Sequence, residues 1–149
     1  MKYYATSDVV RPDLRFTLVA DFLLPPKMHV YSPEVKGYIP IQFEVEPSPN
    51  YKAQAAEYPK SEILFLPAIN EAVSVYQGRF RIIQDVTMAA SNVLQPILSG
   101  NKQVRIRGRL SYQACDDKIC YLPQTVPLEW VLTLEPLDRE RVPEAIQHK

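Results

Sequence analysis

The chain has 149 residues, of which 46% are hydrophobic and 23% charged, a composition typical of one globular domain that buries its own core. Seventeen Lys and Arg residues balance seventeen Asp and Glu residues. Without a basic excess the chain has little charge to neutralise phosphates, so we expect no nucleic-acid partner. No apolar run approaches the roughly 20 residues that a membrane-spanning helix needs, so we do not expect the chain to span a membrane.

Proline is common in this chain and glycine is rare, with 14 and four residues respectively. Because the prolines spread from Pro12 to Pro143, few windows of twelve or more residues are free to form a helix. Proline at strand ends is compatible with a β-sheet protein. The glycine-rich loops that cradle nucleotide phosphates, GxGxxG and GxxxxGK, are both missing from the sequence, which argues against nucleotide binding.

Alternation of apolar and polar residues predicts the first strands over residues 13–22 and 39–46. Their inward-facing side chains are predicted to be Leu14, Phe16, Leu18, Ala20 and Phe22 in the first strand and Ile39, Ile41, Phe43 and Val45 in the second. A short apolar run over residues 63–66 and renewed alternation over residues 79–88 predict two more strands. Half-buried strands of this kind line one face of a sheet.

Residues 89–100 are predicted to form a loop or a single helical turn. The clearest alternation follows, over residues 104–113 and 126–135, and predicts a hairpin-like pair of strands. Six or more short strands with one apolar face each indicate an all-β fold, an immunoglobulin-like antiparallel β-sandwich, with a barrel as the alternative. We expect one domain over residues 1–137, followed by a polar C-terminal tail or linker over residues 138–149.

The two cysteines, Cys115 and Cys120, flank a four-residue loop between the last two predicted strands. If those strands pair, the cysteines face each other across the mouth of the hairpin, within reach of a disulfide. A structural staple and a redox-active pair are both compatible with this spacing. Because a loop of about six residues gains only roughly 2 kcal/mol from a disulfide, the staple adds little to a domain of this size.

A metal site and ordinary hydrolase chemistry are both disfavoured by the count of ligands and bases. Zinc needs three or four protein ligands, and beyond the two cysteines the chain has only His29 and His148. We therefore expect no metal and no cofactor. His29 is predicted to be an ordinary strand or loop histidine whose hydrogen bonds are satisfied, and no Ser/His/Asp set can be identified.

The same cysteine pair bears on the cellular compartment. A reversible disulfide would be kept reduced in the cytosol but could cycle in the bacterial periplasm. The first residues, from Met1 onward, lack the apolar segment of an export signal. We therefore expect an exported, periplasmic protein whose signal peptide has been removed, with a cytoplasmic protein as the alternative.

The segment YQACDDKICYLPQTVPL, residues 112–128, resembles the active-site hairpin in the family of N-terminal periplasmic domains of the thiol:disulfide interchange protein DsbD. Supporting matches are HVY at residues 29–31, GYIP at residues 37–40 and VY at residues 75–76. The resemblance covers roughly residues 10–136. One departure is the spacing, since the founding member has five residues between its cysteines and this chain has four.

The resemblance implies an immunoglobulin-like fold and a protein-disulfide reductase function. Electrons would come from a thioredoxin-like or membrane-embedded donor and pass to oxidised periplasmic thiol proteins. By position, Cys115 and Cys120 would be the redox couple, with Cys120 forming the mixed disulfide with partners and Cys115 resolving it.

The resemblance also implies a cap loop over the cysteine pair. Its equivalent here is residues 67–73, where Ile69 would be the apolar plug in place of the founding member's Phe. The lack of strand alternation in this segment predicts a loop, with an ordinary turn between two strands as the alternative to a cap. Tyr31, Tyr38 and Tyr121 are expected to line the site.

These expectations combine into a periplasmic thiol–disulfide exchange domain that relays electrons through the Cys115/Cys120 pair without a cofactor. The alternative is a non-catalytic immunoglobulin-like binding module in which the same disulfide only clips a hairpin. The reduction potential separates the two, because structural disulfides lie below about −300 mV.

Overall fold

The computed structural model describes residues 1–67 and 69–137 of the chain. The predicted tail or linker, residues 138–149, lies outside the described residues, and so does Ala68 within the predicted cap. In chain order the elements are β1 Lys2–Ala5, β2 Val9–Val10, β3 Arg15–Leu23, β4 His29–Tyr31, β5 Gln42–Val45, β6 Tyr51–Ala53, β7 Glu62–Leu66, β8 Glu71–Gln77, β9 Arg79–Met88, α1 Ser91–Leu98, β10 Gln103–Tyr112, β11 Ala114–Cys115 and β12 Gln124–Leu134.

The strands form three sheets of four strands each. The first sheet has the order β1-β3-β9-β6, the second β2-β12-β10-β5 and the third β11-β4-β8-β7. Pairing between these strands is antiparallel, except that β2 runs parallel to β12. The predicted antiparallel β-sandwich is confirmed. No helix among the described residues is long and apolar enough to cross a membrane.

The main core lies between the first and second sheets and is built from the alternating strands that the sequence indicated. Leu18 of β3, Ile82 of β9 and Ile106 of β10 are fully buried and belong to one apolar cluster with Leu128 and Leu134 of β12. The final hairpin pairs β10 with β12 in one continuous register from Gln103↔Thr133 to Tyr112↔Gln124. The prediction of paired strands at the end of the domain is therefore confirmed.

Two strands of the third sheet, β8 and β11, are continuous with strands of the sandwich. Only Gly78 separates β8 from β9, and only Gln113 separates β10 from β11. Gly78 has φ +62°, a left-handed conformation that glycine adopts without the steric penalty of a Cβ. The chain can therefore leave the third sheet and enter the first within one residue. This places the third sheet at one end of the sandwich.

Three expectations about local structure are wrong. Leu14 and Ile39 are exposed, and both lie before the first residue of the strand that was predicted to include them, Arg15 for β3 and Gln42 for β5. Residues 91–98 form an eight-residue helix in place of a loop or single turn. Pro96 removes one backbone donor from that helix, but Leu94 is fully buried in the main core, and such tertiary packing stabilises short helices more than intrinsic propensity does.

The position at which the buried face of β3 begins can be tested with two leucines. Leu18→Ala should lower the free energy of unfolding by about 2–5 kcal/mol, because it removes a fully buried side chain from a packed core. Leu14→Ala is the matched control and should change that free energy by no more than about 0.5 kcal/mol. Chemical denaturation followed by fluorescence measures both. Equal losses would contradict a buried face that begins after Leu14.

Candidate functional site

The tip of the last hairpin changes sheets just before the cysteines. After Tyr112 the first arm of the hairpin leaves β12 and pairs with β4, with Ala114 opposite Val30 and Cys115 opposite His29. The two arms remain joined, because the Tyr121 N–H donates to the Ala114 carbonyl over 2.9 Å. The first cysteine is thereby fixed at the edge of the third sheet.

Cys115 and Cys120 form a disulfide, and their Cα atoms are 4.0 Å apart across an antiparallel bridge. The two sulfur atoms differ in environment, because Cys115 is only 1% exposed whereas Cys120 is exposed. A partner molecule can therefore approach the Cys120 side of the bond, while Cys115 faces the protein interior.

The four-residue turn between the cysteines is organised by the Asp116 carboxylate. Its Oδ1 accepts the backbone N–H groups of Lys118 and Ile119 at 2.8 and 2.7 Å, and its Oδ2 accepts the Tyr121 hydroxyl at 3.2 Å. The hydrogen bonds from Ile119 and Lys118 hold the pKa of Asp116 below its usual value. The turn therefore keeps a fixed negative charge in the residue next to Cys115.

The Tyr31 hydroxyl lies between the two sulfur atoms, 3.6 Å from Cys115 Sγ and 3.7 Å from Cys120 Sγ. Disulfide sulfur atoms carry no hydrogen, so the phenol is the donor. Burial, reinforced by Tyr38 and Glu71, raises the pKa of Tyr31, and the hydroxyl therefore keeps its proton at neutral pH.

Tyr38 covers the outer side of Tyr31. The two rings stack with centroids 4.7 Å apart and planes 20° apart, and the Tyr38 hydroxyl donates to the two Glu71 carboxylate oxygens at 3.1 and 3.2 Å. Beneath them, Cys115 packs with Tyr31, Val73 and Val75 in a small apolar cluster. The buried sulfur therefore lies in an apolar environment of low dielectric constant, and the Tyr31 hydroxyl donates to it.

The structure places the four site-lining or cap residues expected from the sequence at different distances from the disulfide. The structure brings Tyr31 and Tyr38 together with the cysteine pair. Tyr121 lies on the hairpin itself, exposed and bonded to Asp116. Ile69 lies in the turn between β7 and β8 and is 48% exposed, so its role as a plug stays a prediction.

The segment over residues 67–73 is not the continuous loop that was expected. Its last three residues open β8, and Val73 is buried against the disulfide cluster. Alternation is weak at the start of β8, because Ala72 and Ser74, which alternate with Val73 and Val75, are small residues that give little apolar–polar contrast.

Two further residues, Glu71 and His29, lie at the site, although the sequence gives no functional signal for either. His29 is 2% exposed and lies edge-on to Tyr31 with ring centroids 5.5 Å apart. Its Nε2 is buried without a hydrogen-bond partner, so the expectation of a satisfied histidine is wrong for this atom. Period-two spacing puts His29 and Tyr31 on one face of a strand, but only the pairing of β4 with β11 shows that this face meets Cys115.

Within the described ranges, no group of three or more His, Cys, Asp or Glu residues is arranged to hold a metal ion.

Shielding of the cysteine pair by Tyr38 can be measured directly. In the reduced protein, Tyr38→Ala should speed the reaction of the cysteines with iodoacetamide, because it removes the ring stacked over Tyr31. Ile69→Gly should produce a smaller increase, since Ile69 is already half exposed. Tyr4→Ala is the control, an exposed tyrosine on β1 of the first sheet, and should leave the rate unchanged. A larger effect from Ile69→Gly than from Tyr38→Ala would assign the cover to the turn.

Comparison with known proteins identifies a family that this chain matches. The family model described as thiol:disulfide interchange protein DsbD, N-terminal, matches residues 4–129, a range that contains both cysteines. No curated protein sequence matches the chain.

Two solved structures are similar in fold. The Neisseria meningitidis DsbD N-terminal domain in the reduced form has a TM-score of 0.50 and 13% identity, over 85% of this chain and 80% of that one. The N-terminal periplasmic domain of ScsB from Proteus mirabilis has a TM-score of 0.54 and 12% identity, over 93% of this chain and 49% of that one. The chain thus spans about half of the ScsB domain. The DsbD domains have an immunoglobulin-like β-sandwich, which is the fold class predicted from the sequence.

Proposed function

The chain belongs to the family of DsbD N-terminal domains, and we propose that it relays electrons in the periplasm through its Cys115/Cys120 pair to oxidised partner proteins. Family membership and the disulfide together support a thiol–disulfide exchange domain. The observation that carries the proposal is the asymmetry of the bond, which joins an exposed Cys120 to a buried Cys115 beneath a tyrosine hydroxyl.

Exchange in the reducing direction takes two steps. The Cys120 thiolate attacks one sulfur of the partner's disulfide, forms a mixed disulfide and releases the partner's other sulfur as a thiolate, which takes up a proton. Cys115, as a thiolate, then attacks Cys120 Sγ, re-forms the internal disulfide and releases the partner's first sulfur. Two electrons pass to the partner, and no cofactor is needed.

Reduction of the Cys115–Cys120 disulfide by a donor protein reverses these steps. A thiolate of the donor attacks the accessible Cys120 Sγ and expels Cys115 as a thiolate. Tyr31 is positioned for this event, because its hydroxyl lies within 3.7 Å of both sulfur atoms. A hydrogen bond to the charged form of a thiol favours that form. The phenol therefore stabilises the Cys115 thiolate, which is the leaving group in this direction and the attacking group in the reducing direction.

The donor is a thioredoxin-like or membrane-embedded protein and the acceptors are oxidised periplasmic thiol proteins. Periplasmic placement is supported by the family, whose domains are periplasmic. Exposed apolar side chains beside Cys120, namely Ile119, Tyr121 and Leu122, give a docked partner apolar surface to cover next to the reactive sulfur.

The roles of the two cysteines predict the outcome of a trapping experiment. A partner that carries a single reactive cysteine should form a stable mixed disulfide with Cys115→Ala, because Cys120 is exposed, and none with Cys120→Ala. The fixed charge of Asp116 beside Cys115 further disfavours a thiolate there. Non-reducing electrophoresis detects the adduct. Trapping through Cys115 in the Cys120→Ala variant would overturn the assignment.

Reduction should leave the domain folded, because the disulfide closes a loop of only six residues and the main core lies elsewhere. We expect the melting temperature to fall by several degrees, with one cooperative transition retained. Calorimetry of the reduced and oxidised forms checks this. Loss of the transition on reduction, or a reduction potential below about −300 mV, would instead support a binding module with a structural hairpin clip.

A further inference from the structure

The second step of exchange has a chemical requirement that the cysteines and Tyr31 do not meet. Cys115 must lose a proton before it can attack, yet it lies in an apolar cluster and next to the negative Asp116. Both factors disfavour a thiolate. Tyr31 keeps its own proton and can only donate. A base inside the cluster is therefore needed.

His29 has the position and the free atom for this role. It occupies the β4 position directly opposite Cys115 on β11, and residues opposite each other in an antiparallel pair project to the same face with Cβ atoms about 4.5–5.5 Å apart. Its ring also lies edge-on to the Tyr31 ring, whose hydroxyl contacts both sulfur atoms. The imidazole therefore lies on the same face of the third sheet as the buried sulfur.

The Nε2 atom of His29 is buried and has no hydrogen-bond partner in the oxidised protein. In the disulfide, Cys115 Sγ has no hydrogen to offer. Reduction creates an S–H group on Cys115, at the register position opposite this unpartnered imidazole.

We propose that neutral His29 acts as the general base that accepts the proton of the Cys115 thiol when this cysteine resolves the mixed disulfide. The inference rests on the proposed exchange function and deepens it. The S–H bond of Cys115 breaks and an N–H bond forms on the imidazole. The Cys115 electron pair forms the bond to Cys120 Sγ, the bond from Cys120 to the partner's sulfur breaks, and the released partner thiolate takes the proton back from the imidazolium.

The groups around the imidazole fit this assignment. Cys115 and Asp116 approach from the hairpin, Tyr31 lies on the same strand, and Gln77 of β8 stands opposite His29 on the other side. Glu71 is separated from the ring by Tyr38 and Tyr31. Burial lowers the pKa of His29 and the Asp116 charge opposes that shift, so the ring is neutral at neutral pH while a nearby carboxylate stabilises the imidazolium formed in the step.

The test separates the two steps with 5,5′-dithiobis(2-nitrobenzoate). Attack by Cys120 of the reduced protein releases one thionitrobenzoate, and resolution by Cys115 releases a second, so absorbance follows both phases. In His29→Phe and His29→Gln, the first phase should match the parent and the second should slow about tenfold or more. Cys115→Ala is the control that removes the second phase.

The pH profile distinguishes a base from a structural residue. In the parent, the second phase should slow below neutral pH as His29 becomes protonated. In both variants it should rise only at alkaline pH, where the thiol ionises without help. The role of His29 would be overturned if the second release in the variants were as fast as in the parent. It would also be overturned if that release were slower but kept the pH profile of the parent.

The two variants also guard against misfolding. Glutamine keeps a polar side chain at position 29. A variant whose melting temperature is near that of the parent is folded, so the rate of its second phase tests the role of His29. Absence of a second release from the parent protein would overturn the proposed exchange function itself. If instead the parent shows the second release and the His29 variants show it at the same rate, only the role of His29 is overturned.

Discussion

The pairing of two residues, Ala114–Cys115, with β4 is the constraint on which the site depends. Without it the last hairpin would simply continue along the second sheet, and the first cysteine would project from the end of the sandwich. The transfer to the third sheet puts Cys115 opposite His29 and beneath Tyr31. It also leaves Cys120 on the outer arm, where it is exposed. The difference between the two sulfur atoms is therefore a consequence of strand pairing.

The third sheet has to be stiff enough to hold this arrangement when the disulfide is open. Two of its four strands, β8 and β11, are continuous with β9 and β10, which cross the main core. Gly78 allows one of these continuations to bend within a single residue. Because the main core does not include the disulfide, the same framework can support an oxidised and a reduced pair.

Burial around Cys115 has opposite effects on stability and chemistry. The apolar cluster shields the sulfur from unspecific oxidants, yet it disfavours the thiolate that exchange requires. Polar groups placed inside the cluster offset that cost. Tyr31 offers a hydrogen to the sulfur atoms, whereas Nε2 of His29 is buried without a partner in the oxidised state. The two side chains are two residues apart on one short strand, so β4 brings both polar groups to the face that meets Cys115.

The sequence by itself determined the all-β class, the final hairpin and the position of the cysteines, because alternation and spacing are local properties of the chain. It also placed Tyr31 and Tyr38 near the pair through the resemblance to a family. The α1 helix and the exposure of Leu14 were decided by tertiary packing, which overrides local propensity at the ends of elements. Only the tertiary structure decided which cysteine is buried and which residues face it. His29 and Cys115 are 86 positions apart in the chain, and no local pattern encodes which strand will lie beside β11.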